Sequence, residues 1–432
     1  MNPQDPPPRP RGDERAFLSP LRHRDFRVFW SGLLASGIGS QFTSVAMAWQ
    51  IYELTNSAFQ IGLLGLARFV PQILLLLVGG LLADAINRRK LMMCTQSGLV
   101  VVSTALALLT VTGNASPPLL YGASMLLAFF SSLETPSRQA IVPSLVPPQD
   151  LPRALALHSS QRYVSVIVGP SLAGLVLAFS GAAACYAIDA LSWLVMLWAL
   201  AMLRAPLREG GGWKAVSFAS LREGLRFVYR HPVMFPLMLL DFGATFFGSV
   251  RALLPVYARD LLAVGPEGLG VLYAATAAGS LATAVTVSWL GEFRRAGLWI
   301  LSGVTVYGVC VILFAGSRTF WLSVVLLGSA GAGDMLSTIL RGAINQLSTP
   351  DELRGRMAAI NSVFVMGGPH LGQFESGVVA AWLGAELSAM TGGLATLAMV
   401  AFVAAAFPAV RDYQLRQGQA GRSATVSSSD AT

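Results

Sequence analysis

Twelve stretches of about 20 or more mainly apolar residues divide the chain, each long enough to cross the hydrocarbon of a bilayer as an α-helix. Their approximate limits are 26–53, 58–83, 91–112, 119–142, 153–179 and 183–203, then 233–258, 268–290, 297–315, 320–346, 356–382 and 387–408. In hydrocarbon every backbone N–H and C=O must be satisfied within the segment, so such stretches form helices. Charge content agrees: Asp, Glu, Lys and Arg make up 12% of the 432 residues, while 54% are hydrophobic. A soluble domain carries about 25% charge, so one water-soluble core or a disordered chain is excluded. The expected fold is an all-α membrane protein with twelve transmembrane helices in two six-helix, pseudo-symmetric bundles.

The net charge of +8 would suggest nucleic acid in a soluble protein. In a membrane protein the same excess follows from basic residues collecting in cytoplasmic loops. If the first span runs from inside to outside, the outer loops hold only Arg259 and Arg318 of the 30 basic residues. Both termini are therefore expected on the cytoplasmic side. Trp49 and Tyr52 at the end of the first span, Trp321 at the start of the tenth and Trp382 at the end of the eleventh are expected at the membrane–water interface. The segment Met1 to Arg15 is rich in Pro and Arg and lacks the apolar core of a secretory signal, so it is expected to remain as a tail. Cys94, Cys185 and Cys310 have no second cysteine or histidine at metal spacing and read as buried small hydrophobes. No metal or cofactor is expected.

These features divide the chain into a tail (1–25), a first bundle (26–203), a linker (204–232), a second bundle (233–408) and a final tail (409–432). Within the linker, Ser220 and Glu223 have capping-box spacing, with Leu221, Leu225 and Val228 on one face and Arg222, Arg226 and Arg230 on another. A basic amphipathic helix against anionic lipid is expected there. The halves also resemble each other. Arg138-Gln-Ala-Ile-Val-Pro is echoed half a chain later by Arg341-Gly-Ala-Ile-Asn-Gln, and Gly169-Pro170 by Gly368-Pro369. A site between two such halves can open to either side when one rocks against the other.

Between the second and third spans, Gly80-Leu-Leu-Ala-Asp84-Ala-Ile-Asn-Arg88-Arg89-Lys90 puts one acid at a helix end beside three cations. The acid can pair with these arginines or with the N-terminus of a neighbouring helix, a contact made in only one rocked state. This segment resembles the signature loop of the major facilitator superfamily, with Ala85 and Asn87 in place of the usual Arg and Gly. Gly291-Glu-Phe-Arg294-Arg295 is a degenerate second copy. A narrower resemblance runs from Pro20-Leu-Arg-His-Arg-Asp-Phe-Arg27 through Pro136-Ser-Arg-Gln-Ala-Ile-Val-Pro and Leu353-Arg-Gly-Arg356 to the twelfth span. These segments look like the enterobactin-exporter-like branch, commonly exporters of siderophores, antibiotics and other small metabolites. Gly169-Pro170 with Ala173-Gly174 is similar to the motif that marks antiporters on the fifth helix of this superfamily. The resemblance implies a cytoplasmic gate at Gly80, Asp84, Arg88 and Arg89, and export rather than uptake.

Neither lysine, Lys90 or Lys214, follows a glycine as a P-loop requires. Energy is therefore expected from an ion gradient, most simply protons carried by an intramembrane acid. The candidates are Asp334 first, Asp241 second, then Glu375 and Asp189. Each could instead sit in a structural pair, Asp334 with Arg341 and Asp241 with Arg251 along their own helices. Arg68 keeps its proton, and either holds an anionic substrate group or neutralises an acid from another helix. The expected function is proton-coupled export of a small, partly hydrophobic metabolite, siderophore or drug across a bacterial cytoplasmic membrane. The partners are then a small-molecule substrate, protons and membrane lipid, with no nucleic acid, a monomer as the working unit and no enzymatic activity. The rival readings are an importer or facilitator, and a transporter-like sensor or assembly partner that moves nothing.

Overall fold

A computed structural model describes residues 18–83, 88–204, 226, 228–229, 231–290, 293–349 and 354–414, and among these there is no strand. The first bundle contains α1 (Arg24–Thr55), α2 (Ala58–Ala83), α3 (Arg88–Val111) and α4 (Pro117–Leu145), followed by the stretch Leu151–Met202. Gly181, at φ 76° and ψ 177°, breaks that stretch into α5 (151–180) and α6 (182–202). Only glycine takes this conformation without steric cost, so the chain reverses in one residue. The second bundle contains α7 (Met234–Phe247), α8 (Gly265–Leu290), α9 (Ala296–Ala315), α10 (Phe320–Ser348), α11 (Arg354–Leu383) and α12 (Ala385–Ala406). Pro117 sits in the first turn of α4, where an amide N–H would have had no partner.

Seven helical stretches are apolar and long enough to cross a membrane on length and composition alone: α2, α3, the α5–α6 stretch, α8, α9, α10 and α12. Of the remaining four spans, α7 is apolar but short, Met234–Phe247, while α1, α4 and α11 carry more polar side chains. Gln50 of α1 donates to Thr110 of α3 and accepts from Tyr186 of α6. Outward-facing positions are apolar, as Phe179, Trp198, Trp289 and Leu313 illustrate. Lipid tails rather than water are the solvent such a belt suits.

Span seven departs from the continuous helix expected over 233–258. Its α-helix stops at Phe247, and after a non-helical turn the chain resumes as Leu254–Val256 and a π turn, Tyr257–Leu261. The carbonyls released by the break are met from other helices. The Tyr307 hydroxyl donates to the Gly248 carbonyl at 2.6 Å and the Tyr273 hydroxyl to the Arg251 carbonyl at 3.2 Å. The apolar run continues through this turn, so hydropathy alone does not reveal it.

Two further expectations are corrected. Trp49 is only 6% exposed and Tyr52 is buried, both in the packed core, whereas Trp321 and Trp382 are exposed as expected. Cys94 is exposed rather than buried; Cys185 and Cys310 are buried. Of the linker helix, residues 205–225, 227 and 230 lie outside the described residues, but Val228 is buried with Met234, Met238, Met357 and Ile360 of α7 and α11. The end of the linker thus packs on the second bundle. At the start of the chain, Ser19 and His23 hydrogen-bond to Asp150 at 2.7 and 2.9 Å, and these contacts hold its carboxyl below the usual carboxylate range.

The two bundles meet through α2 against α11 and α5 against α8. At the end of the molecule away from the linker, residues of both halves form one core, including Ile51, Tyr186, Tyr257 and Phe314. At the linker end the cores are separate. Phe26, Phe29, Met92 and Met196 belong to one half, and Leu237, Ile300, Leu340 and Val403 to the other. Among the described residues, the halves thus share a core at the far end and have separate cores at the linker end.

Candidate transport site

The far-end closure rests on two glycine crossings. A Cβ on Gly174 of α5 would stand 2.8 Å from the Cα of Gly270 on α8, and one on Gly377 of α11 would stand 2.8 Å from the Cα of Gly62 on α2. Backbones therefore touch at both crossings, as small residues permit in membranes. The Gly169-Pro170 motif belongs here: the Pro170 carbonyl oxygen lies 2.6 Å from a Cβ built on Gly270. Beyond the crossings, the Tyr52 hydroxyl donates to the Asp260 carboxylate, and Arg259 donates to Asn56 Oδ1 at 2.9 Å. The Arg259 guanidinium also lies 5.5 Å from the centre of the Tyr52 ring.

Just inside this closure lies a cleft lined from both halves, with Ser44, Ile61, Leu64 and Arg68 on one side and Arg251 and Tyr273 on the other. Arg68 Nε donates to Ser124 Oγ at 3.2 Å, and Arg251 lies 5.3 Å from the centre of the Tyr273 ring. Neither guanidinium has a carboxylate within ion-pair distance among the described residues. Arg251 is placed here by the break in α7, and so does not pair with Asp241.

Asp241 instead pairs across helices with Arg341 of α10 at 2.6 Å, the two side chains being 9% and 12% exposed. Arg341 is further held by Ser337 Oγ at 3.0 Å. Asp334, two turns from Arg341 on α10, makes no ion pair among the described residues; Arg341 and Asp241 are the charges that act on it. Three charged groups thus share one region of the second bundle, two acids and one permanent cation. Asp189 is fully buried inside the first bundle, where its Oδ2 accepts from Thr43 at 2.7 Å and Ser103 at 2.8 Å while its Oδ1 meets no hydrogen-bond partner among the described residues. Glu375, half-buried on α11, makes no hydrogen bond or ion pair among the described residues. Glu134 pairs with Arg138 and accepts from Gln96 Nε2 at 2.6 Å, a self-satisfied structural group.

At the linker end, Arg89 donates to the Ala201 carbonyl at 2.8 Å, a cation on the carbonyl end of α6. Asp84 and the surroundings of Gly80 and Arg88 lie outside the described residues. Sequence reasoning missed the roles of Gly62, Gly270, Gly377, Tyr273 and Tyr307. The short spacings Gly62–Gly65 and Gly268–Gly270 were the available signal for the crossings; nothing local marks the tyrosines.

Comparison with known proteins agrees with this architecture. Residues 15–422 match the family described as transmembrane secretion effector. The enterobactin exporter EntS of Shigella boydii serotype 18 is 28% identical over 379 residues, covering 87% of this chain and 90% of that protein. The same exporter of Salmonella choleraesuis is 27% identical over 380 residues, covering 86% and 89%. Among solved structures, an inward-facing, unoccupied bacterial homologue of the human lysosomal transporter Spinster superposes with a TM-score of 0.68 at 15% identity, covering 92% of this chain and 97% of that one. The nucleoside transporter NupG superposes with a TM-score of 0.67 at 13% identity, covering 89% and 98%. With the twelve helices, the paired bundles and the cleft between them, the match over nearly the whole chain establishes that this protein belongs to the transmembrane secretion effector family of the major facilitator superfamily.

Proposed function

We propose that the protein is a proton-coupled antiporter that exports a small, partly hydrophobic metabolite, a siderophore such as enterobactin or a drug, across a bacterial cytoplasmic membrane by alternating access. The linker end faces the cytoplasm, where Gly80, Asp84, Arg88 and Arg89 form the gate, and the cleft loads substrate from that side. The observation that carries the reading is the grouping of Asp241, Asp334 and Arg341. One guanidinium balances one carboxylate, so in a low-dielectric setting the second acid reaches charge balance by taking a proton. Asp334 is that acid, since Asp241 has its partner. The named relatives, enterobactin exporters matched over most of their length, support export of a siderophore-like substrate.

The substrate is identified by comparing the culture media of a deletion strain and its parent under iron limitation. A metabolite missing from the deletion medium, and accumulated by everted vesicles in a way that an ionophore abolishes, carries the proposal. Accumulation insensitive to collapse of the proton gradient would refute the coupling, and a substrate that gathers inside cells only when the protein is present would reverse the direction.

A further inference from the structure

Resting on the export reading, we infer that Arg68 and Arg251 form a two-guanidinium site, one cation from each half, for an acidic group on an otherwise apolar substrate. Both line the same cleft. Arginine stays charged in proteins, so two like charges face one space. Their partners are a serine hydroxyl for Arg68 and an aromatic ring for Arg251, neither of which supplies a negative charge. The acids of the second bundle do not relieve them, because Asp241 is taken by Arg341. A second observation lies beside them. His370, whose Nδ1 is buried without a hydrogen-bond partner among the described residues, is within electrostatic reach of both guanidiniums. Ala48, Ile61 and Leu64 supply an apolar wall for the rest of the molecule. Paired guanidiniums suit the two oxygens of a carboxylate. Because the cations come from different halves, a bound acid bridges them while the far end is closed.

The test uses purified full-length protein and two probes of the same shape, 2-naphthoate and its neutral amide, 2-naphthamide, with binding followed by calorimetry. Naphthoate is expected to bind at least roughly tenfold more tightly than naphthamide, the scale of a charge-assisted contact. R68Q and R251Q are each expected to remove that preference, whereas R251K retains part of it. Thermal melting of each variant reports folding separately. Equal binding of the two probes, or an intact preference in a folded R251Q variant, would overturn the inference. A lipid headgroup is the other source of an anion. Affinity for naphthoate is expected to be the same in nanodiscs of phosphatidylcholine and of phosphatidylglycerol, and a marked loss in the anionic lipid would assign the pair to lipid instead. This binding assay needs no gradient, so its failure leaves proton-driven export standing, and failure of proton coupling in vesicles leaves the binding result standing.

Discussion

At the scale of single residues, the Asp241–Arg341 pair and the unpaired Asp334 have different jobs and separable phenotypes. The pair is buried and joins α7 to α10, so removing one partner leaves an uncompensated charge. R341Q is expected to cost about 3–5 kcal/mol, the scale for breaking a buried pair, seen as a lowered melting temperature and reduced membrane yield. Asp334 has no such partner, and D334N keeps size and hydrogen-bonding capacity. That variant is expected to reach the membrane in normal amounts and to lose proton-driven efflux in everted vesicles; gradient-dependent efflux by D334N would remove Asp334 from the coupling step. A third residue reads pH outside the bilayer. His231 Nδ1 accepts the backbone N–H groups of Val233 and Met234 at 3.3 and 3.2 Å, before the first turn of α7. Burial lowers its pKa below the usual histidine range. A histidine with a lowered folded pKa contributes stability that is complete above its unfolded pKa, about 6.5, and disappears as pH falls through the folded value. The melting temperature is therefore expected to fall on acidification below about pH 6 less steeply in H231A than in the parent. Parallel curves would show that the ring does not cap the helix.

At the scale of elements, the glycine crossings set how closely the halves approach. Val at position 174 would drive a side chain into the Pro266 carbonyl and the Gly270 backbone, neither of which can rotate away. Overpacking of this kind costs about 1–3 kcal/mol, and here it falls on the state closed at the far end, so its population drops roughly tenfold or more. G174V is expected to fold, to expose Tyr52 and Asp260 to reagents from the far side, and to transport slowly. Unchanged far-side accessibility would mean that the crossing bends elsewhere. The spans, the halves and the role of glycine on α5 were legible from apolar length, a repeated segment and a short motif, because each is a property of neighbouring residues. The break in α7 was not, since Val250 and Ala252 keep the run apolar on either side of Arg251 and the compensating hydroxyls, Tyr273 and Tyr307, arrive from α8 and α9. Pairing failed for the same reason. Arg341 stands two turns below Asp334 on one helix, yet the shorter route to a carboxylate runs across to α7. Along-helix spacing shows which groups share a face but not which helix lies opposite.

At the scale of the whole molecule, the distribution of cores defines a direction of motion. With one shared apolar core at the far end and separate cores at the linker end, the proposed rocking would break contacts at the first and make new ones at the second. The contacts to be broken include Tyr52–Asp260 and Asn56–Arg259, both polar and both between halves. Polar latches suit this place, because separated partners regain hydrogen bonds from water, whereas a large apolar seal would resist opening by its full burial energy. Holding the latch shut should therefore arrest the cycle without harming the site. In a background with the exposed Cys94 replaced, N56C with R259C bridged by a short bismaleimide is expected to abolish efflux while 2-naphthoate binding from the linker side persists. Each single-cysteine variant should transport at the same rate with the reagent as without it. Transport continuing through a bridged latch would show that the far end does not open in the cycle, and the alternating-access reading would fall with it.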